Sequence, residues 1–222
     1  MLPIEKGPVP KKLREARGRI AATPGTTLSW TSVDSEEKAA ALDALLAEQG
    51  GLCAYCMRGI SAASAHVEHI VPQSMAAGED DPLSVDYQNL LAVCDGFEGS
   101  AEGLTCDRAR GNKVLSVNPL KPDTLESIRY MRDGRIRSEV PVIAQDLETT
   151  LNLNQSLLVR NRRVVLKELF GRLGRYERLH GKSGLRRYCE KYLAAHLSDP
   201  SERIPYDGAI IYFMKKRLRA AD

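Results

Sequence analysis

"HVEHIVPQSMAAGEDDPLSVDYQNLLAVC", residues 66–94, opens on His66, Glu68 and His69 and closes on Cys94. The β-branched Val67, Ile70 and Val71 suit a short strand, and Pro72 closes it. Side chains alternate along a strand, so His66 and Glu68 share one face while His69 takes the other. A bend near Pro72 is needed to bring all three to one point. Without it, the histidines read as structural residues and Glu68 as a surface partner. The end of the stretch, "VDYQNLLAVC", fits a loop that enters either a helix or a strand.

Just upstream, "GLCAYC" is a tight knuckle in which Cys53 and Cys56 stand as C-x2-C. Cys94 and Cys106, with eleven residues between them, complete a set of four thiols. Zn²⁺ suits such a set best, and four thiolates close its shell to water and substrate, so the ion would be structural. The competing reading makes Cys94 and Cys106 small buried hydrophobes. Cys189, on a late helix, reads as core.

At 222 residues the chain is long enough for one elaborated domain or a core with an appended unit. Hydrophobic residues at 43% and charged ones at 27% are ordinary for a globular protein. No apolar run approaches the roughly 18 residues of a membrane span, and no apolar stretch follows the charged N-terminal residues as in a secretory signal. A cytoplasmic location away from any membrane is the expectation, and an odd count of five cysteines there argues for metal rather than disulfides.

Net charge is only +3, but it is unevenly placed. Residues 160–191 hold eleven Lys or Arg against three Glu, whereas residues 66–107 hold nine acids and no Lys or Arg. Arg160, Arg163 and Lys167 fall on one side of a helix whose apolar face carries Leu158, Val165, Leu169, Leu173 and Tyr176, with Gly171 and Gly174 weakening its middle. That basic face is either a solvated surface, a grip on a nucleic-acid backbone or a docking face for a partner protein. A single Trp30 and few other aromatics supply no stacking platform for bases.

Three segments follow: an extended lead-in over 1–33 with a short helix near Leu13–Ile20, a core over 34–117, and a hairpin plus basic helical region over 118–222. In the core, "DSEEKAAALDALLAEQGG" has Asp34 and Ser35 as caps, Glu36 and Glu37 in its first turn and Gly50 as a stop, so it forms a helix. "DGFEGSAEG" reads as a loop. "SIRYMRDGRIRSEV" reads as two strands around a two-residue Asp133-Gly134 turn, and a last helix spans about Ser183 to Leu197, ending before Pro200.

Taken in order, "CAYC", "HVEHIVPQS", "YQNLLAVC" and "CDRARGNK" resemble the His-Asn-His (HNH) endonuclease motif, whose ββα-metal fold sets a zinc knuckle around a single-metal nuclease site. "EHIVPQS" is similar to the HNH module of the CRISPR effector nuclease. "LLAEQGGLCAYC", "VNPLKPD" and "RYMRDGRI" extend the resemblance, over roughly residues 1–140, to the HNH nucleases of retron and Septu antiphage systems. The resemblance implies an α+β chain with a ββα-metal core stapled by a four-cysteine zinc and flanked by helices. It also implies an ABC-class ATPase as partner, and nucleic acid as target, DNA ahead of RNA.

Residue by residue, the resemblance makes His69 the general base and Glu68 a ligand of a catalytic Mg²⁺ or Mn²⁺. Asn89 would pin the loop carrying His69. Asp107 stands where the wider fold has Asn or His, with Asn112 as a fallback, and His66 either binds the ion or orients Glu68. Arg108, Arg110 and Lys113 would hold the substrate backbone together with Arg160, Arg163 and Lys167. The residue types suit the chemistry, since an anionic phosphodiester needs a cation on its oxygens and a base that titrates near neutrality. Two rivals remain open at this point: a noncatalytic zinc module, and a stand-alone restriction nuclease, for which no sequence-reading element is visible.

Overall fold

The computed structural model describes residues 1–75 and 81–219; Glu79 and Asp80 of the acidic run lie outside them. β2 (Leu90–Cys94) is buried at every position and pairs antiparallel with β1 (Ala65–His69), setting Glu68 opposite Leu91 and His69 opposite Leu90. Because alternate residues point to opposite faces, β2 serves two cores. Leu90 and Ala92 enter one with Val85 and Tyr87, and Leu91 and Val93 enter the other with the cysteine knuckle. A strand covered on both faces has no polar alternation to betray it, which is why residues 85–94 read equally well as helix or strand.

The first core is closed by α1 (Lys11–Ala22), which buries Leu13, Ala16 and Ile20, and by α2 (Ser35–Gln49), which buries Ala41 and Leu45. Asp34 and Glu37 form a reciprocal capping box at the start of α2, and Gly50 ends it at φ 66°. A Cβ at Gly50 would also fall 2.0 Å from the Pro200 carbonyl oxygen, so two constraints select glycine there. The Gln49 amide donates to the carbonyls of Leu52 and Ala92, 2.8 Å each, and accepts from the Ala92 N–H at 2.9 Å. This one buried side chain ties α2, the knuckle and β2 together. Residues before α1 carry no regular structure, yet Met1, Leu2 and Ile4 are buried in the second core, so the lead-in is packed rather than loose.

After β2 the chain turns through residues 95–105 into α3 (Cys106–Arg110). Further on, β3 (Ile128–Tyr130) and β4 (Ile136–Ser138) form a second two-stranded sheet. Their turn differs from the expected two-residue form. Met131 bonds to Arg135, leaving Arg132, Asp133 and Gly134 as a three-residue loop with Gly134 at φ 92°. α4 (Pro141–Gln145) runs on into a π-helical turn, Asp146–Thr150, whose Asp146 carboxylate accepts from the N–H groups of Ser116 and Val117.

α5 (Ser156–Ser198) and α6 (Asp207–Arg219) complete the second core. Leu158, Leu166, Leu169 and Leu173 form the buried stripe of α5, with Val165 and Tyr176 half-buried at its margin. Gly171 and Gly174 do not interrupt the helix. The break is at Gly181 (φ 67°, ψ 179°), after which the second arm begins. The molecule is thus α+β, with two small antiparallel sheets among helices, and no helix among the described residues is long and apolar enough to cross a membrane.

Candidate active site

Four buried sulfur atoms, those of Cys53, Cys56, Cys94 and Cys106, lie within 4.8 Å of one another. Cys53 and Cys106 are 3.8 Å apart, as are Cys56 and Cys94. That separation excludes disulfides, whose sulfurs sit about 2.05 Å apart, and all four cysteines are free. It equals the edge, about 3.8 Å, of a tetrahedron whose metal–sulfur bonds are about 2.3 Å. The four residues are therefore grouped closely enough to hold a tetrahedral ion. Burial would raise the Cys53 thiol, but hydrogen bonds with Cys106, Cys56 and Cys94 outweigh it and hold its pKa well below the usual thiol value. The Cys94 N–H also points at Cys53 Sγ, 3.4 Å away. Cys189 is buried elsewhere in the second core.

The knuckle delivers side chains to β1. Tyr55, between the first two cysteines, sets its hydroxyl 3.4 Å from Glu68 Oε1, and Asp107 directly follows Cys106 at the start of α3. On the face of β1 that carries His66 and Glu68, His66 Nε2 lies 2.7 Å from Asp107 Oδ2, and Asp107 is hydrogen-bonded in turn to Glu68. His66 thus contacts Asp107 and not Glu68. The two carboxyl groups shift in opposite directions. Burial, then the Asp107 contact, pushes Glu68 up to about 8 against the pull of Arg110. Asp107 goes the other way, its burial outweighed by hydrogen bonds to His66 and Glu68, so its pKa falls.

Arg110, expected among the backbone-gripping cations, is 1% exposed and belongs inside the site. Its guanidinium pairs with Glu68 and donates to the Tyr55 hydroxyl at 3.3 Å, to the His69 and Ile70 carbonyls at 3.0 and 2.6 Å, and to the Lys113 carbonyl at 2.6 Å. Those carbonyls mark where β1 ends, so Arg110, more than Pro72, holds the chain as it leaves the strand. Replacing Arg110 by methionine leaves a buried carboxyl and several carbonyls without a donor. The expected cost is about 3–5 kcal/mol in urea unfolding; a loss below about 1 kcal/mol would show that the network is dispensable.

His69 occupies the opposite face. Its Nε2 is 2.9 Å from the Ser84 carbonyl oxygen, an acceptor only, so the proton sits on Nε2 and the lone pair on Nδ1. Trp30 meets the ring edge-on at 5.5 Å. Burial lowers the His69 pKa, which the Ser84 carbonyl partly offsets, and the imidazole is neutral near pH 7. Asn89 Oδ1 accepts from the Val71 N–H at 2.8 Å, and its Nδ2 donates to the carbonyls of Val71 and Leu83 at 3.2 and 3.1 Å. It fastens the segment that follows His69 to the turn before β2.

The structure therefore joins His66, Asp107, Glu68, Arg110 and Tyr55 in one chain of contacts and sets His69 and Asn89 behind the strand. Asn112 is exposed, as are Arg108, Lys113, Arg160, Arg163 and Lys167. Of these, Arg108 lies 3.5 Å from Glu98 and Arg160 lies 4.0 Å from Glu102. Sequence reasoning missed Tyr55, Arg110, Trp30 and Ser84 as parts of the site. For Arg110 a signal existed: it stands three residues after Asp107, the spacing that puts two side chains on one face of a helix.

No family model matches the chain. Over 94 residues, 42% of this chain, it is 29% identical to a protein of Vibrio cholerae serotype O1 biovar El Tor named "Retron Vc95 putative HNH endonuclease". The matched stretch spans 44% of that relative's length.

Proposed function

We propose that the chain is a metal-dependent HNH endonuclease that hydrolyses phosphodiester bonds, in DNA ahead of RNA. The observation that carries the reading is the grouping at the end of β1 and the start of α3: His66 Nε2 lies 2.7 Å from the Asp107 carboxylate, Glu68 is buried on the same strand, and His69 follows it with Nε2 on the Ser84 carbonyl. The turn into β2 and the start of α3 supply its neighbours, so the strand–strand–helix order of a ββα-metal core supports the same reading.

Glu68 and Asp107, with His66 beside them, form the donor set of a hard divalent ion, Mg²⁺ or Mn²⁺. Such an ion supplies charge for the nonbridging and leaving oxygens of the phosphodiester. The chain's own residues do the rest. For His69 Nδ1 to take the proton of the attacking water it must reach round the end of β1 to the Glu68 side; the Nε2–H bond to the Ser84 carbonyl would steady the imidazolium that results. His66 holds Asp107, and Arg110 holds Glu68. The products would be a 3′ hydroxyl and a 5′ phosphate. The four-cysteine knuckle, with Zn²⁺, would fix Tyr55 and Asp107 in place. Arg108, Lys113, Arg160, Arg163 and Lys167 present exposed charge for a nucleic-acid backbone.

The name of the Vibrio relative supports a place in retron-type antiphage defence. An ABC-class ATPase as partner belongs to the same proposal. Incubating the purified protein with plasmid and with RNA, with Mg²⁺ or Mn²⁺, and with or without the ATPase, tests activity, target and dependence together. Retained nucleic-acid binding with no cleavage under any of these conditions would favour a noncatalytic module.

The raised Glu68 pKa gives the reading a pH signature. Glu68 must lose its proton before its oxygens take a cation, and its pKa stands near 8. The Mn²⁺ concentration for half-maximal activity is expected to fall about tenfold per pH unit from about 6.5 to 7.5 and to level off above about pH 8. A flat profile would remove the carboxyl pair from the metal site.

A further inference from the structure

We infer that the protein carries a second ligand site, apart from the Glu68–Asp107 cluster, that takes a mononucleotide. A cavity of ≈ 670 Å³ lies between the first residues of the chain, the segment before β3, and α6. Its volume falls within the range of about 300–1,000 Å³ usual for small-molecule sites. None of the residues of the carboxyl cluster lines it.

Its walls divide by chemistry. Ile128 and Ile211 form an apolar floor beside Tyr212, which is half-buried and sits 5.8 Å from the Tyr130 ring. Lys215, Lys216 and Arg219 stand on the rim at the exposed end of α6. Among the described residues none of the three meets a carboxylate, and Glu126 is the one acid in the lining. Arg217, in the midst of them on the same helix, provides the contrast: it pairs with Glu177 of α5. A fourth cation of the lining, Arg129, donates to the carbonyls of Glu126 and Ile128, so the three cations of α6 that face the cavity are left without counter-charge while the one that faces the protein is neutralised.

Three unpaired cations on the rim of a hollow whose exposed lining is polar and apolar in about equal parts, with a tyrosine ring among the apolar part, suit a ligand that is multiply anionic at one end and flat at the other. A nucleotide has both parts, with phosphates for the ammonium and guanidinium groups and a base for the floor and the tyrosine. A nucleic-acid backbone alone would want an extended basic stripe, whereas these cations gather on the rim of one half-open hollow. An acidic peptide would have no use for a flat apolar slot.

The test uses the full chain and a fluorescent ATP analogue followed by anisotropy, so binding is read without cleavage and stands apart from the nuclease reading. Saturable binding is expected, with displacement by ATP at least tenfold more effective than by adenosine or by tripolyphosphate. The exposed pair Lys215→Glu and Lys216→Glu should weaken it tenfold or more without changing the melting curve. Ile211→Trp, which fills the floor, should do the same if it folds, and Glu68→Gln should change nothing. The proposal is overturned if no saturable binding is seen, or if tripolyphosphate or a polyglutamate peptide displaces the probe as well as ATP does. It is equally overturned if the double lysine variant binds normally or if Glu68→Gln abolishes binding.

Discussion

His69→Ala is expected to lower the rate of cleavage by about 10³-fold at saturating Mg²⁺ or Mn²⁺, the middle of the range for loss of a general base. No other group in the cluster is placed to substitute. The His66 ring is engaged by Asp107, the Glu68 oxygens would be taken up by the ion, and Arg110 cannot accept a proton. The fold should survive, because the side chain contributes one hydrogen bond to a carbonyl and one edge contact with Trp30, together worth about 1–2 kcal/mol. Nucleic-acid binding should persist. The measurement is single-turnover cleavage of plasmid alongside a filter-binding titration. A variant that cleaves within threefold of the parent would take the proton-accepting role away from Nδ1 and leave the site as a binding module.

Much of this arrangement was open to reading from the chain alone, and what was hidden was hidden for specific reasons. The capping box of α2 and its glycine stop are local, so Asp34, Glu37 and Gly50 announce them within one turn of helix. The alternation that separates His66 and Glu68 from His69 is equally local. β2 was ambiguous because burial on both faces erases its period. Arg110 was misplaced for a different reason: a charged residue in a basic, polar run looks exposed by default. Only tertiary structure brings the Glu68 carboxyl and three backbone carbonyls around it. Sequence order leaves His66 between binding the ion and orienting Glu68, and it cannot show the contact that α3 provides, Asp107 at 2.7 Å from its ring. The hairpin turn failed at the level of register, since Asp-Gly serves a three-residue loop as readily as a two-residue one.

Stripping the ion from the four cysteines, or changing Cys53 to serine, should unfold the protein, and this is the largest stability effect expected of any single site. Structural zinc contributes apparent binding energies of about 10–16 kcal/mol to folding, as much as the whole stability of an ordinary domain, about 5–15 kcal/mol. The knuckle is also not peripheral. Cys53, Cys56, Cys94 and Cys106 belong to the same core as Leu147, Leu166 and Met214, so the C-terminal helices lose a packing surface when it opens. Arg162, buried on α5 in the same region, donates to the Gly134 and Leu153 carbonyls at 2.6 Å each, and burial brings its pKa to about 10. Elemental analysis should find one ion per chain, and a chelator should release it with loss of the far-ultraviolet helical signal. Cys189→Ser is the control, a buried thiol outside the cluster whose change should cost far less. If Cys53→Ser melted within about 3 °C of the parent, a shift that corresponds to about 1 kcal/mol in a chain of this size, the four sulfurs would be packing atoms alone. Tyr55 and Asp107 would then need some other reason to stand where they do.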